Sequence, residues 1–143
     1  MPINHINLCA TNVAALTGTL TTHLGFKVLE SGKVPDLARL PNAGKDYAFL
    51  IDGNGFYIVI SQIDASAGPA YPTGFHFATM LATRDDVRAK HEELCHSGYA
   101  PGGISDFEAM GAKWSAFYFD AGDGLKIEVN TCSKDIAALR SAR

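Results

Sequence analysis

The chain carries one pattern twice. In the first copy, Ile6, Leu8 and Ala10 fall on one side of a strand that opens at His5, with His5, Asn7 and Cys9 on the other. In the second, His76, Ala78 and Met80 oppose Phe75, Phe77 and Leu81. Each strand leads into a helix that stops at a glycine, residues 13–24 before Gly25 and residues 85–97 before Gly98. Leu16 lies as far beyond His5 as Val87 beyond His76, and Phe26 after Gly25 corresponds to Tyr99 after Gly98. Laying Gly55 on Gly124 puts Phe56 on Leu125, Ile58 on Ile127, Val59 on Glu128 and Ile60 on Val129. Each half reads strand, helix, strand, strand, strand. A repeat of this kind restricts the chain to α+β architecture. Two βαβββ modules side by side are expected to form a curved, mostly antiparallel sheet with helices on the outer face and a concave pocket.

The boundaries come from turn chemistry. Module 1 covers about 3–63, a small-residue linker about 64–73, module 2 about 74–132 and a polar, alanine-rich tail 133–143. Asn12 and Thr83 offer helix N-caps. Strands are expected at 26–29, 47–51, 56–62, 114–119 and 124–130, with another beginning at 99–101. Residues 31–46 read as a long loop with one helical turn near 36–40, and 102–111 as a second loop. Asp52–Gly55 and Ala121–Gly124 are the hairpin turns. His23, His91 and His96 sit in the helices or at their ends and are expected to face solvent.

The position that breaks the repeat is the informative one. Leu125, Ile127 and Val129 alternate with Lys126, Glu128 and Asn130. A carboxylate buried without a partner costs several kcal/mol, so Glu128 is expected to face water, a cation or a metal. By alternation His5, His76 and Glu128 point into the same concave face. Two imidazoles and a carboxylate suit a divalent ion (Fe, Mn, Zn, Co or Ni) with open coordination positions, and the ligand set does not choose among them. No pair has a close zinc-motif spacing, so the repeat register carries the inference. Tyr57 and Trp114 are candidates for an aromatic pocket wall. Asn7 and Asn130 share the polar strand faces and join them as substrate-binding candidates.

Composition removes other classes. With 47% hydrophobic residues, 19% charged residues and a net charge of −3, the chain resembles an ordinary soluble domain. Nothing in it suggests nucleic acid or a membrane surface as partner. No apolar run reaches the ~18–20 residues of a membrane span, and the N-terminus lacks signal-peptide character. Cys9, Cys95 and Cys132 are odd in number and widely separated, which points to reduced thiols and a cytoplasmic location.

At these residues the chain resembles the vicinal oxygen chelate superfamily of glyoxalases, bleomycin-resistance proteins and extradiol dioxygenases. The resemblance rests on Asn4-His5-Ile6-Asn7-Leu8, Leu24-Gly25-Phe26, His76-Phe77-Ala78 with Thr83-Arg84-Asp85-Asp86-Val87, Phe117-Tyr118-Phe119 and Asp123-Gly124-Leu125-Lys126-Ile127-Glu128. It implies metal ligands at His5, His76 and Glu128. It also implies a catalytic or hydrogen-bonding tyrosine near Tyr118 and a homodimer in which His5 of one subunit meets His76 and Glu128 of the other. The long loop 31–46 is then a lid or dimer-arm candidate. A glyoxalase I would carry a further carboxylate where Val59 stands, and Ser61 and Gln62 do not supply it. Extradiol dioxygenases and fosfomycin-resistance thiol transferases use two His and one Glu. The former are about twice as long. The latter carry a cationic loop where this chain has residues 106–113, with Lys113 alone cationic. The resemblance thus implies a metal-dependent enzyme acting on a small oxygen-rich substrate by dioxygenation, thiol addition or isomerisation. The alternative is a metal-free protein that sequesters a ligand, as bleomycin-resistance proteins do.

Overall fold

The computed structural model describes residues 3–36, 42–65 and 69–134. In chain order it contains β1 (His5–Ala10), α1 (Val13–Leu24), β2 (Lys27–Lys33), β3 (Asp46–Ile51) and β4 (Tyr57–Gln62). The pattern then recurs as β5 (His76–Met80), α2 (Arg84–His96), β6 (Ser105–Ala109), β7 (Ala112–Asp120) and β8 (Lys126–Cys132). The chain divides into two compact units, Met1–Pro72 with Gly122–Gly124, and Thr73–Ala121 with Leu125–Arg143. The expected α+β class and paired βαβββ organisation hold. The strands form two four-stranded sheets, ordered β1-β4-β3-β2 and β5-β8-β7-β6. Both are mixed, with the β1–β4 and β5–β8 pairs parallel and the rest antiparallel.

In the first unit, Asn12 caps α1 by accepting the Ala15 N–H at 2.9 Å, and Gly25 ends the helix in the left-handed region at φ 73°. The threonines that weaken this helix intrinsically are offset by packing, because Leu16 and Leu20 bury against the sheet. Leu8, Leu20, Leu50, Ile58 and Ile60 are each at most 1% exposed. Fully burying such side chains stabilises by about 1.5–3 kcal/mol apiece. The Asp52 carboxylate accepts the Asn54 and Phe56 N–H groups, both at 2.8 Å, and closes the β3–β4 hairpin. Asp123, from the Gly122–Gly124 segment, accepts the Thr11 N–H and hydroxyl at 2.8 Å each.

The second unit repeats the plan with a complete capping box, Thr83 and Asp86 satisfying each other's backbone N–H groups ahead of α2. Its core is Val87, Leu94, Phe117, Phe119, Ile127 and Val129. The His91 ring meets Phe117 edge-on with centroids 5.0 Å apart, so this helix histidine packs on the core, although solvent was its expected environment.

Two expectations change. β2 runs through Lys33, so the loop expected from residue 31 starts later; Gly32 and Lys33 pair with Tyr47 and Asp46 across the sheet. Residues 99–101 form no strand, and the strand of that region is β6, inside the stretch expected as a loop. Gly102 and Gly103 disguise its start, and pairing with β7 from Ser105 to Ala109 fixes it. The helical turn expected near 36–40 lies largely outside the described residues, as do 66–68 of the linker and 135–143 of the tail. Among the described residues no helix is long and apolar enough to cross a membrane.

Candidate functional site

On the second unit, β8 lies between β5 and β7, with Ala78 and Tyr118 opposite Glu128 on its two sides. Alternation puts Lys126, Glu128 and Asn130 on one face of β8, while Ile127 and Val129 enter the core on the other. Glu128 is nevertheless only 8% exposed. Its Oε1 accepts from Asn130 Nδ2 at 2.7 Å, and its Oε2 accepts from the Tyr118 hydroxyl at 2.6 Å. The carboxylate beside it raises the Tyr118 phenol, already partly desolvated, to about 12. Tyr118 is therefore protonated at physiological pH and acts as a donor. Asn130 is 6% exposed, and with its amide N–H spent on Glu128 its Oδ1 is buried without a hydrogen-bond partner.

His76 completes this cluster. Its ring stands edge-on to Tyr118 with centroids 5.3 Å apart. Nδ1 lies 2.9 Å from the Gly74 carbonyl oxygen, which can only accept, so Nδ1 carries the proton. In the neutral ring Nε2 then presents a lone pair, and it sits 3.3 Å from Glu128 Oε2. At that distance either a proton or a cation between the two atoms would join them. A ring N–H anchored on a carbonyl is also the usual support for a metal-ligating histidine.

The first unit carries the same register with different chemistry. His5 pairs with Tyr57, and Val59 stands between Asn7 and Phe49. Val59 thus occupies the place of Glu128, as the repeat alignment expected, and Phe49 occupies that of Tyr118. His5 Nδ1 lies 2.8 Å from Asn4 Oδ1, so this ring too keeps Nε2 as its acceptor. His5, Phe49, Tyr57 and Val59 line a hollow of ≈ 240 Å³. Asn7 Oδ1 accepts from Ser61 Oγ at 2.9 Å.

The structure therefore brings His76, Glu128, Tyr118 and Asn130 together on one unit, and His5 and Tyr57 together on the other. Trp114 is 8% exposed, stacks on Phe107 at 6.3 Å and donates its indole N–H to the Ala109 carbonyl at 3.0 Å. Among the described residues, no three His, Cys, Asp or Glu side chains form a cluster able to hold a metal ion within the chain. Sequence reasoning passed over Phe49. Its signal was present in the alternation of Tyr47, Phe49 and Ile51 on the strand beside β4. Asp106 also has a role: Arg84 grips it through Nε and Nη2 at 3.1 and 2.8 Å, and Ser115 Oγ donates to it at 2.5 Å. These bonds, Arg84's first, hold the Asp106 carboxyl at about 2.

Solved structures share this fold. A possible glyoxalase from Bacillus cereus is 24% identical with a TM-score of 0.66, the alignment covering 90% of this chain and 97% of that one. A mutant of the genomically encoded fosfomycin resistance protein FosX from Listeria monocytogenes, complexed with Mn(II) and 1S,2S-dihydroxypropylphosphonic acid, is 17% identical with a TM-score of 0.67, covering 90% of each chain. FosX from Mesorhizobium loti is 15% identical with a TM-score of 0.66, covering 99% of this chain and 98% of that one. At these identities the likeness concerns the fold alone. No curated protein matches the chain. The family model for the Glyoxalase/Bleomycin resistance protein/Dioxygenase superfamily matches residues 2–129, and with nearly the whole chain inside that match the protein belongs to this superfamily.

Proposed function

We propose that the protein is a metal-dependent enzyme acting on a small oxygen-rich substrate. His76 Nε2 and Glu128 Oε2 of one subunit would hold the ion together with His5 Nε2 of the partner subunit. The observation that carries this reading is the approach of His76 Nε2 to Glu128 Oε2, 3.3 Å apart, with the other ring nitrogen anchored on the Gly74 carbonyl. The donors fit a first-row divalent ion: imidazole nitrogens whose other nitrogen is tied to an acceptor, and a carboxylate oxygen already oriented by hydrogen bonds. The absence of a third ligand in the cluster on the second unit is why a second copy enters the proposal. The bound Mn(II) of the Listeria FosX structure supports divalent-metal use within the superfamily and does not identify the ion here.

When bound, such an ion supplies Lewis-acid polarisation of substrate oxygens. The chain's own groups do the rest. Tyr118 and Asn130 fix both oxygens of Glu128, so the carboxylate serves as a ligand and not as a free base. Tyr118 keeps its proton and can offer a hydrogen bond to a developing oxyanion once substrate competes for it. Asn130, itself buried, acts through Glu128, to whose Oε1 it donates. Val59 offers no second carboxylate, which argues against glyoxalase I chemistry.

The apolar hollow lined by Phe49, Tyr57 and Val59 beside His5 favours a second reading, in which the protein sequesters its ligand without metal. Metal analysis of protein purified without an affinity tag separates the two. The enzyme reading expects a divalent ion bound stoichiometrically in wild type, lost in His5→Ala, His76→Ala and Glu128→Ala, and a dimer in sedimentation. No metal in the wild type, and none taken up on addition, would leave only the sequestering reading.

A further inference from the structure

We infer that the hollow around His5 receives an uncharged aromatic ring of the substrate, and that this hollow, without metal, does not take up phosphonates or other small anions. This rests on the proposed function insofar as His5 belongs to the working site. The hollow is lined by His5, Phe49, Tyr57 and Val59, all within the first unit. Phe49 is 39% and Tyr57 37% exposed, which leaves two aromatic faces uncovered. The comparison with the second unit makes this surface informative. At the same sheet positions the second unit places Glu128 and Tyr118, both polar and bonded to each other, where the first unit places Val59 and Phe49. The histidine is kept in both units. The first unit is thus a less polar version of the same framework, with His5 and the Tyr57 hydroxyl as the polar groups of the hollow.

Size and charge narrow the ligand. A dry apolar cavity of ~150 Å³ admits benzene, so ≈ 240 Å³ accommodates one ring with a short substituent. Recognition of a phosphonate dianion needs an unspent cation or several converging N–H donors, and none of the lining side chains supplies a fixed positive charge. By register and alternation, Lys27 and Lys45 fall on this face of the sheet; Lys27 stands on the edge strand β2 opposite Ile51, Lys45 is tied to Asp64 at 2.8 Å, and neither lines the hollow. On the Glu128 face of the second unit, Lys126 is tied to Asp120 at 3.0 Å. An anion placed in the hollow would lose its hydration without compensation.

Two-dimensional NMR of the full-length, chelator-treated protein tests this with benzyl alcohol and methylphosphonate as probes. Benzyl alcohol is expected to shift the signals of His5, Phe49, Tyr57 and Val59 saturably, and methylphosphonate to leave them unmoved. Val59→Asp, which sets a carboxylate against the ring, is expected to weaken benzyl alcohol binding about tenfold or more. Phe49→Leu keeps the apolar volume and is expected to weaken it less, which separates loss of the hollow from loss of the fold. The inference is overturned if methylphosphonate moves these signals, if benzyl alcohol shifts map elsewhere, or if Val59→Asp binds the ring as wild type does. Metal content, measured on the same preparations before chelation, judges the proposed function separately: metal bound without ring binding sinks this inference alone, and ring binding without metal leaves it standing.

Discussion

Replacing Glu128 by glutamine distinguishes a metal site from a structural ion pair by the sign of a stability change. The Glu128 side chain is 10% exposed and that of His76 40%. If the two form a protonated, charge-balanced pair, removing one charge costs up to about 3–5 kcal/mol for a fully buried pair. With His76 partly in water that figure falls to about 2–3 kcal/mol. If instead His76 is neutral and turns its Nε2 lone pair toward the carboxylate, the glutamine amide mends the contact. Its N–H donates to His76 Nε2, the Tyr118 hydroxyl rotates to accept, and Asn130 still donates to the remaining oxygen. The substitution then exchanges two charge-assisted bonds for neutral ones and removes a buried charge, effects of about 1 kcal/mol each and of opposite sign. Unfolding entropy of about 2.1 cal/mol/K per residue over 143 residues makes about 0.3 kcal/mol correspond to one degree. Calorimetry in chelator at pH 8 should therefore find the Tm of Glu128→Gln within about 3 °C of wild type, together with loss of metal uptake in the absence of chelator. A Tm lower by about 7–10 °C would refute the argument and identify the contact as a structural ion pair.

Three further outcomes are expected. Tyr118→Phe removes the 2.6 Å bond to Glu128 Oε2 from a tyrosine that is 44% exposed, and should lower metal-free stability by about 1 kcal/mol in urea unfolding. Asp106 has its carboxyl depressed to about 2, so its contribution is full above the ordinary value of 3.8 and is lost as pH falls through about 2. Asp106→Asn should accordingly lower the urea midpoint by a constant amount between pH 8 and 5, and the difference from wild type should close toward pH 2. At Gly124, φ is 80° and an added Cβ would come within 2.6 Å of Pro69 Cβ, so Gly124→Ala should destabilise by about 2 kcal/mol or more in the same assay.

What the sequence reveals and what it conceals divide along a physical line. Helix α1 was legible at both ends because its boundary signals, Asn12 and Gly25, are local. The correspondence of Val59 with Glu128 was legible because strand alternation preserves facing through the repeat. β6 was hidden because Gly102 and Gly103 carry loop composition, and only pairing with β7 makes a strand of Ser105–Ala109. The direction of Tyr118 was open for the same reason. It depends on the antiparallel register that sets Tyr118 against Glu128, a relation between strands and not within one. The burial of Glu128 is likewise a tertiary fact: an alternating pattern shows that a carboxylate leaves the core, not that Tyr118, Asn130 and His76 await it on the other side.

The retained histidines have a practical consequence. His5 and His76 open equivalent strands, each with Nδ1 held by an oxygen acceptor, yet one stands near valine and phenylalanine and the other near glutamate and tyrosine. Every sample of the protein therefore contains a matched control. A reagent that acts through the carboxylate should move the His76 ring resonances and spare those of His5, while a general effect on exposed imidazoles should move both. The two signals can be followed in one tube, without a reference protein and without a mutation.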